Sequence, residues 1–264
     1  MTRILAETTE IRKHLHLGQD YYRLTLGPLR RAKRCRPGQF VHIQLPGTDI
    51  LFRRAMSVAA VDSECKTIDI IMKAVGRGTG ILAGYTKGSR VNVLGPLGKP
   101  FSLPKKSETS LLVAGGVGFP PLFYLATEMV SRGHNPDSIQ FFYGGRSSGD
   151  ILEKSKIRRL GLKLHVVTED GSAGSRGLVI EEVERFIDAK GEEKMRLVGC
   201  GPMGMLKAVD ELGMRHGILG EISLEAPMPC GIGVCLGCVV PLRKGGHARV
   251  CREGPVFDIG EVVL

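Results

Sequence analysis

Tryptophan is absent from this 264-residue chain, and Phe, Trp and Tyr together make up only 5% of it. A protein that grips single-stranded nucleic acid combines a basic groove with aromatic rings on which bases stack. The basic half is present: the formal net charge is +10, with clusters at Arg30-Arg31-Ala32-Lys33-Arg34, Lys105-Lys106 and Lys154–Arg159. The stacking half is missing, so nucleic acid is not an expected partner. Anionic dinucleotides or an acidic partner surface account for the charge equally well, and solvated faces account for most of it. No apolar run approaches the roughly 20 residues that cross a bilayer. Residues 1–10 acquire acidic side chains before any apolar core of a signal peptide could form. No membrane association and a cytoplasmic location are expected. Thiols stay reduced there, so the 7 cysteines are expected to serve a metal or packing rather than disulfides.

Four of those cysteines, Cys230, Cys235, Cys238 and Cys251, are spaced C-x4-C-x2-C-x12-C. The first three reproduce the plant-type spacing that holds a [2Fe–2S] cluster. Glycines between them let the backbone wrap closely and aim amide N–H groups at sulfur, which stabilises the reduced state and raises the potential. A structural zinc site with four thiolates is the competing reading. Zinc more often uses two C-x2-4-C knuckles with a longer spacer, so the Gly-rich run favours iron–sulfur. Cys35 and Cys65 have no partner spacing and read as packing or surface residues.

Along the chain three regions differ in pattern. Residues 1–103 carry short strand signals at 21–26, 40–45, 67–75 and 90–94, broken by Gly and Pro, which suggests a small antiparallel barrel. Arg54-Ala55-Met56-Ser57 closes a strand-like segment there, and Gly76-Arg77-Gly78-Thr79 opens a short helix. Residues 104–222 alternate strand candidates at 110–114, 138–143, 162–168 and 195–200 with helical stretches to about 132, at 178–189 and at 203–215. That alternation argues for an open, Rossmann-like parallel α/β sheet. Residues 223–264 form a small cysteine-rich module that needs a cofactor or a neighbour to hold together.

In the α/β region, Gly116 and Gly118 fit a G-x-G phosphate turn, but Pro121 stands where a third glycine is usual. Tyr143-Gly144-Gly145-Arg146 and Gly199-Cys200-Gly201-Pro202 also follow strands. Ligands of such sheets bind outside the carboxyl ends of the strands, so three loops address one crevice. In the barrel region, Arg54 suits either a diphosphate clamp or a surface ion pair. Gly76 and Gly78 suit either a phosphate cradle or a plain tight turn.

Pro37-Gly38-Gln39-Phe40, Arg54-x-x-Ser57, Gly76-x-Gly78-Thr79, Gly95-Pro96-Leu97-Gly98, Gly115-Gly116-x-Gly118 and Cys200-Gly201-Pro202 occur in an order that resembles the ferredoxin–NADP reductase superfamily. Ser223-Leu224-Glu225, Met228, the cysteine run and Cys251-x-x-Gly254-Pro255-Val256-Phe257 resemble one branch, the electron-transfer subunits of NAD-dependent (type B) dihydroorotate dehydrogenase. The resemblance implies an FAD-binding barrel, an NAD-binding α/β domain and a [2Fe–2S] module. It also implies an FMN-containing catalytic partner that oxidises dihydroorotate to orotate in pyrimidine synthesis, in a heterotetramer of two of each subunit. Electrons would run from that partner by way of the cluster and FAD to NAD+. By position, Arg54 would bind the FAD diphosphate, Ser57 would lie near flavin N5 and Lys73 would line the flavin. Gly76, Gly78 and Thr79 would cradle the FAD phosphates. Gly116 and Gly118 would border the NAD pyrophosphate, with Cys200, Gly201 and Pro202 beside the nicotinamide. Ser57 and Cys200 would thereby lie nearest the reacting atoms, and the four cysteines of the C-terminal run would ligate the cluster. Ala55-Met56 departs from the proline and aromatic or aliphatic residue common in the flavin motif. The alternatives are a reductase subunit of another NAD(P)H-linked complex, such as a sulfur reductase or a ferredoxin-coupled transhydrogenase, and a zinc-stabilised binding module. NAD over NADP rests on the resemblance, since Arg146-Ser147-Ser148 could accept a 2′-phosphate while Glu169 and Asp170 could take ribose hydroxyls.

Overall fold

The computed structural model describes residues 4–191 and 193–264; the start of the N-terminal stretch read above, residues 1–3, lies outside them. Six strands, β1 (Leu5–Gly18), β2 (Tyr21–Gly27), β3 (Phe40–Gln44), β4 (Arg54–Asp62), β5 (Thr67–Lys73) and β6 (Arg90–Leu97), form a closed barrel in the order β1-β2-β5-β4-β3-β6. A seven-residue helix, α1 (Arg77–Ala83), interrupts the run between β5 and β6. Alternation along the strands decides what faces in. Val41 lines a small pocket with Ile68 and Val93, and Ile43, Leu24, Ile70 and Val58 are fully buried. The register pairs Phe40 with Ser57, Val41 with Met56, His42 with Ala55 and Ile43 with Arg54. Phe40, His42, Ala55 and Ser57 therefore share the outer face of β3 and β4. The sequence reading placed Arg54 to Ser57 at the close of a strand; they open one instead, because apolar alternation runs on from Met56 through Val58.

A second sheet runs β10-β9-β8-β7-β11-β12-β15. Its members are β7 (Thr109–Gly115), β8 (Ile139–Gly145), β9 (Lys163–Thr168), β10 (Ser175–Arg176), β11 (Met195–Cys200), β12 (Gly220–Ser223) and β15 (Val256–Asp258). All pairs are parallel except β12 with β15. The helices α2 (Phe119–Ser131), α3 (Lys154–Arg159), α4 (Val179–Lys190) and α5 (Met203–His216) connect them. Leu111, Leu112, Val113 and Ala114 in β7 are completely buried, as a central parallel strand covered on both faces requires. Pro120 and Pro121 occupy the first turn of α2, where a missing N–H breaks no intrahelical bond. The proline in place of a third glycine is thus an ordinary helix start.

The chain forms two compact units: residues 1–100 with 226–240 and 247–255, and residues 101–225 with 241–246 and 256–264. Residues 226–264 are shared between them. Two short strands, β13 (Val239–Pro241) and β14 (His247–Arg249), pair with each other. In the second unit the buried Asp210 of α5 accepts from Arg243 Nη2 at 2.8 Å and from the Gly260 N–H at 2.6 Å, which fastens the tail to that helix. Among the described residues no helix is long and apolar enough to cross a membrane.

Candidate functional site

The glycine motifs of the first unit meet. Gln39 Nε2 donates to the Gly98 carbonyl at 2.8 Å. A Cβ on Gly98 would come within 2.4 Å of Pro255 Cδ and 2.9 Å of Phe40 Cε1. Sequence positions 37–40, 95–98 and 254–255 are therefore one packed corner, and the cysteine segment is anchored to the barrel there.

Arg54 and Gly78 also come together: a Cβ at residue 78 would sit 2.2 Å from Arg54 Nε. The neighbouring Arg53 is fully engaged, donating to the Asn92 carbonyl at 3.1 Å, to Asn92 Oδ1 at 2.6 Å and to Gln44 Oε1 at 3.1 Å. The Arg54 guanidinium, in contrast, makes no hydrogen bond or ion pair among the described residues, which removes the surface ion-pair reading. The Thr79 hydroxyl accepts from the Val75 and Gly76 N–H groups, both at 3.1 Å, and shapes the turn that opens α1. Lys73, at the end of β5, donates to the Tyr21 hydroxyl at 3.3 Å. Ser57 is half-buried on the outer face of β4. Arg54, Gly78 and a shaped turn make a cradle fit for a diphosphate, with Ser57 further along the same strand.

The four cysteines converge in the same unit. Gly231 and Gly233 both hold positive φ, 68° and 82°, and so turn the backbone around the first thiol. Amide N–H groups reach sulfur from Ile232 to Cys230 at 3.5 Å, from Gly237 to Cys235 at 3.4 Å and from Cys251 to Cys238 at 3.5 Å. Burial pushes the Cys230 thiol up, but the N–H groups of Cys235, Ile232 and Val234 and the Cys235 side chain together bring it down to about 6. Burial, then the Cys238 thiol, push Cys251 up to about 12. Bound metal would deprotonate it outright. Cys230 interacts with Cys235, and Cys251 with both Cys238 and Cys230. No group of three or more metal-binding side chains is disposed around one ion among the described residues. Thiols lined with amide N–H donors suit an iron–sulfur group, whose potential is tuned by hydrogen bonds to sulfur. Cys35 is buried, its thiol pushed up to about 12 by that burial, and Cys65 is exposed, as packing and surface roles require.

Sequence reasoning passed over two features here. Arg249 braces the loop, donating from Nη1 to the Gly233 carbonyl at 2.9 Å and from Nε to Glu253 Oε2 at 3.0 Å. His42 is wholly buried, and both of its ring nitrogens lack a hydrogen-bond partner. Burial, with Arg53 and Arg54 nearby, brings its pKa down to about 4. Neither signal is visible in spacing, since both depend on which strand the cysteine loop covers.

In the second unit the three strand ends converge as expected. A Cβ on Gly118 would overlap the Cys200 carbonyl oxygen at 1.9 Å, and one on Gly201 would come within 3.0 Å of Gly115 Cα. Pro202 Cδ lies against Gly115, 2.7 Å from where a Cβ would be. Tyr143, from β8, donates its hydroxyl to the Gly116 carbonyl at 3.3 Å and stacks on Phe119. Gly116, Gly118, Cys200, Gly201 and Pro202 thus form one glycine-walled floor. Burial and the charge of Glu225 push the Cys200 thiol up, against a hydrogen bond from Ser223. Arg146 is tied by Nε to the buried Asp150 at 3.5 Å, and Asp170 accepts from the Ser172 hydroxyl at 2.6 Å.

Residues 225–263 match the iron–sulfur cluster binding domain of dihydroorotate dehydrogenase B, and residues 112–211 match an oxidoreductase NAD-binding domain. The dihydroorotate dehydrogenase B (NAD(+)) electron transfer subunit of Shouchella clausii (strain KSM-K16) is 37% identical over 258 residues, 96% of each chain. The chain belongs to this family of electron-transfer subunits. The same subunit of Bacillus cereus (strain B4264) is 37% identical over 255 residues, 94% of this chain and 95% of its own. A solved NADH-dependent reduced ferredoxin–NADP oxidoreductase, described for flavin-based electron bifurcation, superposes with a TM-score of 0.85 at 27% identity. It covers 97% of this chain and 89% of its own. The FAD/NAD-binding domain of a Vibrio cholerae nitric oxide dioxygenase shares the fold alone, at a TM-score of 0.63 and 19% identity over 80% of this chain and 93% of its own. As an electron-transfer subunit the chain has a ferredoxin-reductase-like fold: closed antiparallel barrel, parallel α/β sheet and a C-terminal iron–sulfur segment. The rival reductase assignments are not favoured over it.

Proposed function

We propose that this chain is the cytoplasmic electron-transfer subunit of a dihydroorotate dehydrogenase, delivering to NAD+ the electrons that an FMN-containing catalytic partner takes from dihydroorotate. It works in a heterotetramer of two of each subunit. The observation that carries this reading is that residues 226–240 and 247–255, with all four cysteines, fold into one unit with Arg54, Ser57, Lys73 and Gly78. When bound, the [2Fe–2S] cluster passes single electrons, FAD exchanges one or two, and the nicotinamide takes a hydride.

The chain's own residues bind and orient. Cys230, Cys235, Cys238 and Cys251 serve as ligands, and the amides of Ile232, Gly237 and Cys251 disperse the charge on sulfur. Arg54 clamps the FAD diphosphate over Gly78, with Gly76 and Thr79 completing the turn, while Ser57 and Lys73 face the flavin ring. In the second unit Gly116 and Gly118 let the NAD pyrophosphate approach the backbone, and Cys200, Gly201 and Pro202 set the nicotinamide. NAD over NADP follows the NAD(+) in the names of the related electron-transfer subunits. Labour divides as flavin binding in 1–103, NAD binding in 104–222 and cluster binding in 223–264. Val234 and Leu236 are 72% and 61% exposed on the cysteine loop and give the partner an apolar landing next to the cluster.

Anaerobic purification tests the reading. Flavin absorbance, iron and acid-labile sulfide in equal amounts, and co-purification of an FMN-containing subunit, in a complex that reduces NAD+ with dihydroorotate, are expected. A colourless protein holding zinc alone would refute it.

A further inference from the structure

Arg249 joins two stretches that carry cysteines of the cluster site. Its Nη1 donates to the Gly233 carbonyl at 2.9 Å, on the loop between Cys230 and Cys235. Its Nε donates to Glu253 Oε2 at 3.0 Å, and Nη2 donates to Glu253 Oε1. The Arg249 backbone N–H also donates to Glu253 Oε2, at 2.8 Å, and its carbonyl accepts from the Arg252 and Glu253 N–H groups, both at 2.9 Å. Arg249 and Glu253 thus staple the turn that holds Cys251, and the same guanidinium fastens that turn to the other loop. A planar fork of donors suits this double duty. Gly233 permits the approach: a Cβ there would come within 3.3 Å of Nη1 and within 3.4 Å of both Cζ and Arg252 Cβ.

The carbonyl that Arg249 grips belongs to the Gly233–Val234 peptide, which is trans. A planar trans peptide points its N–H away from its C=O. That N–H belongs to Val234 and faces the Cys230 sulfur, while the Gly233 N–H faces the sulfur of Cys251. Hydrogen bonds in a chain polarise one another, so a carbonyl held by a cation makes the N–H of its own peptide a stronger donor. Glu253 offsets the guanidinium charge, which leaves the peptide as the route by which Arg249 acts on sulfur.

We infer that Arg249 is a positioning residue for the iron–sulfur group, holding the Gly233–Val234 peptide so that its N–H is aimed at the Cys230 sulfur. This rests on the cluster assignment proposed above. Such a hydrogen bond favours the reduced, more negative cluster and raises its potential.

The test uses the full chain purified anaerobically with its cofactors, and reads the cluster midpoint potential by EPR-monitored titration. Arg249→Met, which keeps the stem and loses every donor, is expected to lower it by a tenfold change in the reduction equilibrium, about 59 mV for one electron. Arg249→Lys keeps one donor and should restore part of the shift; it carries the test should the methionine variant fail to load a cluster. A second readout is the 15N coupling of Val234 to the reduced cluster, taken as the difference between wild-type and Val234→Ile proteins labelled with 15N-valine. That coupling should be present in the wild type and weakened in Arg249→Met. An unmoved potential in a loaded methionine variant overturns the inference, even if iron is lost faster to a chelator, since a merely mechanical brace would do that. A missing Val234 coupling in the wild type overturns it as well. Wild-type protein without any [2Fe–2S] signal would instead remove the reading beneath it, and the inference with it.

Discussion

Arg54 crosses Gly78 so closely that a Cβ on residue 78 would fall 2.2 Å from Nε and 3.1 Å from both Cδ and Cζ. The glycine is what allows the guanidinium to lie over the start of α1. Gly78→Ala should therefore displace the arginine without removing it. We expect FAD affinity to fall at least tenfold, about 1.4 kcal/mol, and Arg54→Lys to lose a similar amount because an ammonium cannot grip two phosphate oxygens at once. Flavin retention on gel filtration, followed by titration of the stripped protein, measures both. Wild-type retention in Gly78→Ala would count against the diphosphate clamp.

Gly118 is in a tighter position still, 1.9 Å between a would-be Cβ and the Cys200 carbonyl oxygen. Backbone has little room to yield, so Gly118→Ala should cost about 1–3 kcal/mol of stability in the second unit and raise the NADH concentration needed for dye reduction. Flavin and cluster content should stay at wild-type levels. A variant with normal NADH dependence would show that this floor is not where the dinucleotide binds.

Val234 is exposed beside the cysteines and makes no structural contribution to the core. Val234→Asp should leave the visible spectrum and NADH–dye activity intact while abolishing co-purification of the catalytic subunit. Retained complex at wild-type yield would place the partner elsewhere.

His165 stacks on Phe142 at 4.4 Å between centroids and shares a 2.9 Å hydrogen bond with Gln140 Oε1. Burial lowers its pKa, partly offset by Glu182, and burial with Lys106 nearby lowers that of His134. Lowered folded values mean that the unfolded chain takes up protons first, so stability is full above about pH 6.5 and is lost as pH falls from there toward the folded pKa. His165→Gln should flatten that decline in denaturant unfolding. Parallel pH profiles for the two proteins would contradict it.

Motifs built on local geometry were legible in the sequence. The cysteine spacing, the turn at Gly76–Thr79 and the strand ends at Gly116 and Cys200 each encode chemistry within a few residues. The burial of 110–114 announced the central parallel strand for the same reason. Several elements escaped notice, among them β1, largely exposed with little apolar alternation to mark it, α3, a single basic turn and a half, and the short strands β10 and β12 to β15. Arg54 could not be assigned from sequence, because its freedom from ion pairs depends on Asn92 and Gln44 taking up Arg53. His42 was invisible for a like reason: a histidine in an apolar strand looks like core until the loop lying over it is known.

The tail returns twice to the second unit, at residues 241–246 and 256–264, between and after the stretches that carry the ligands. Through β15 it also supplies the edge strand of the larger sheet, antiparallel to β12. Transplanting the metal-binding residues into a relative would therefore mean replacing part of that host's own sheet. Loss of the prosthetic group in evolution would likewise leave behind a strand the remaining fold still depends on.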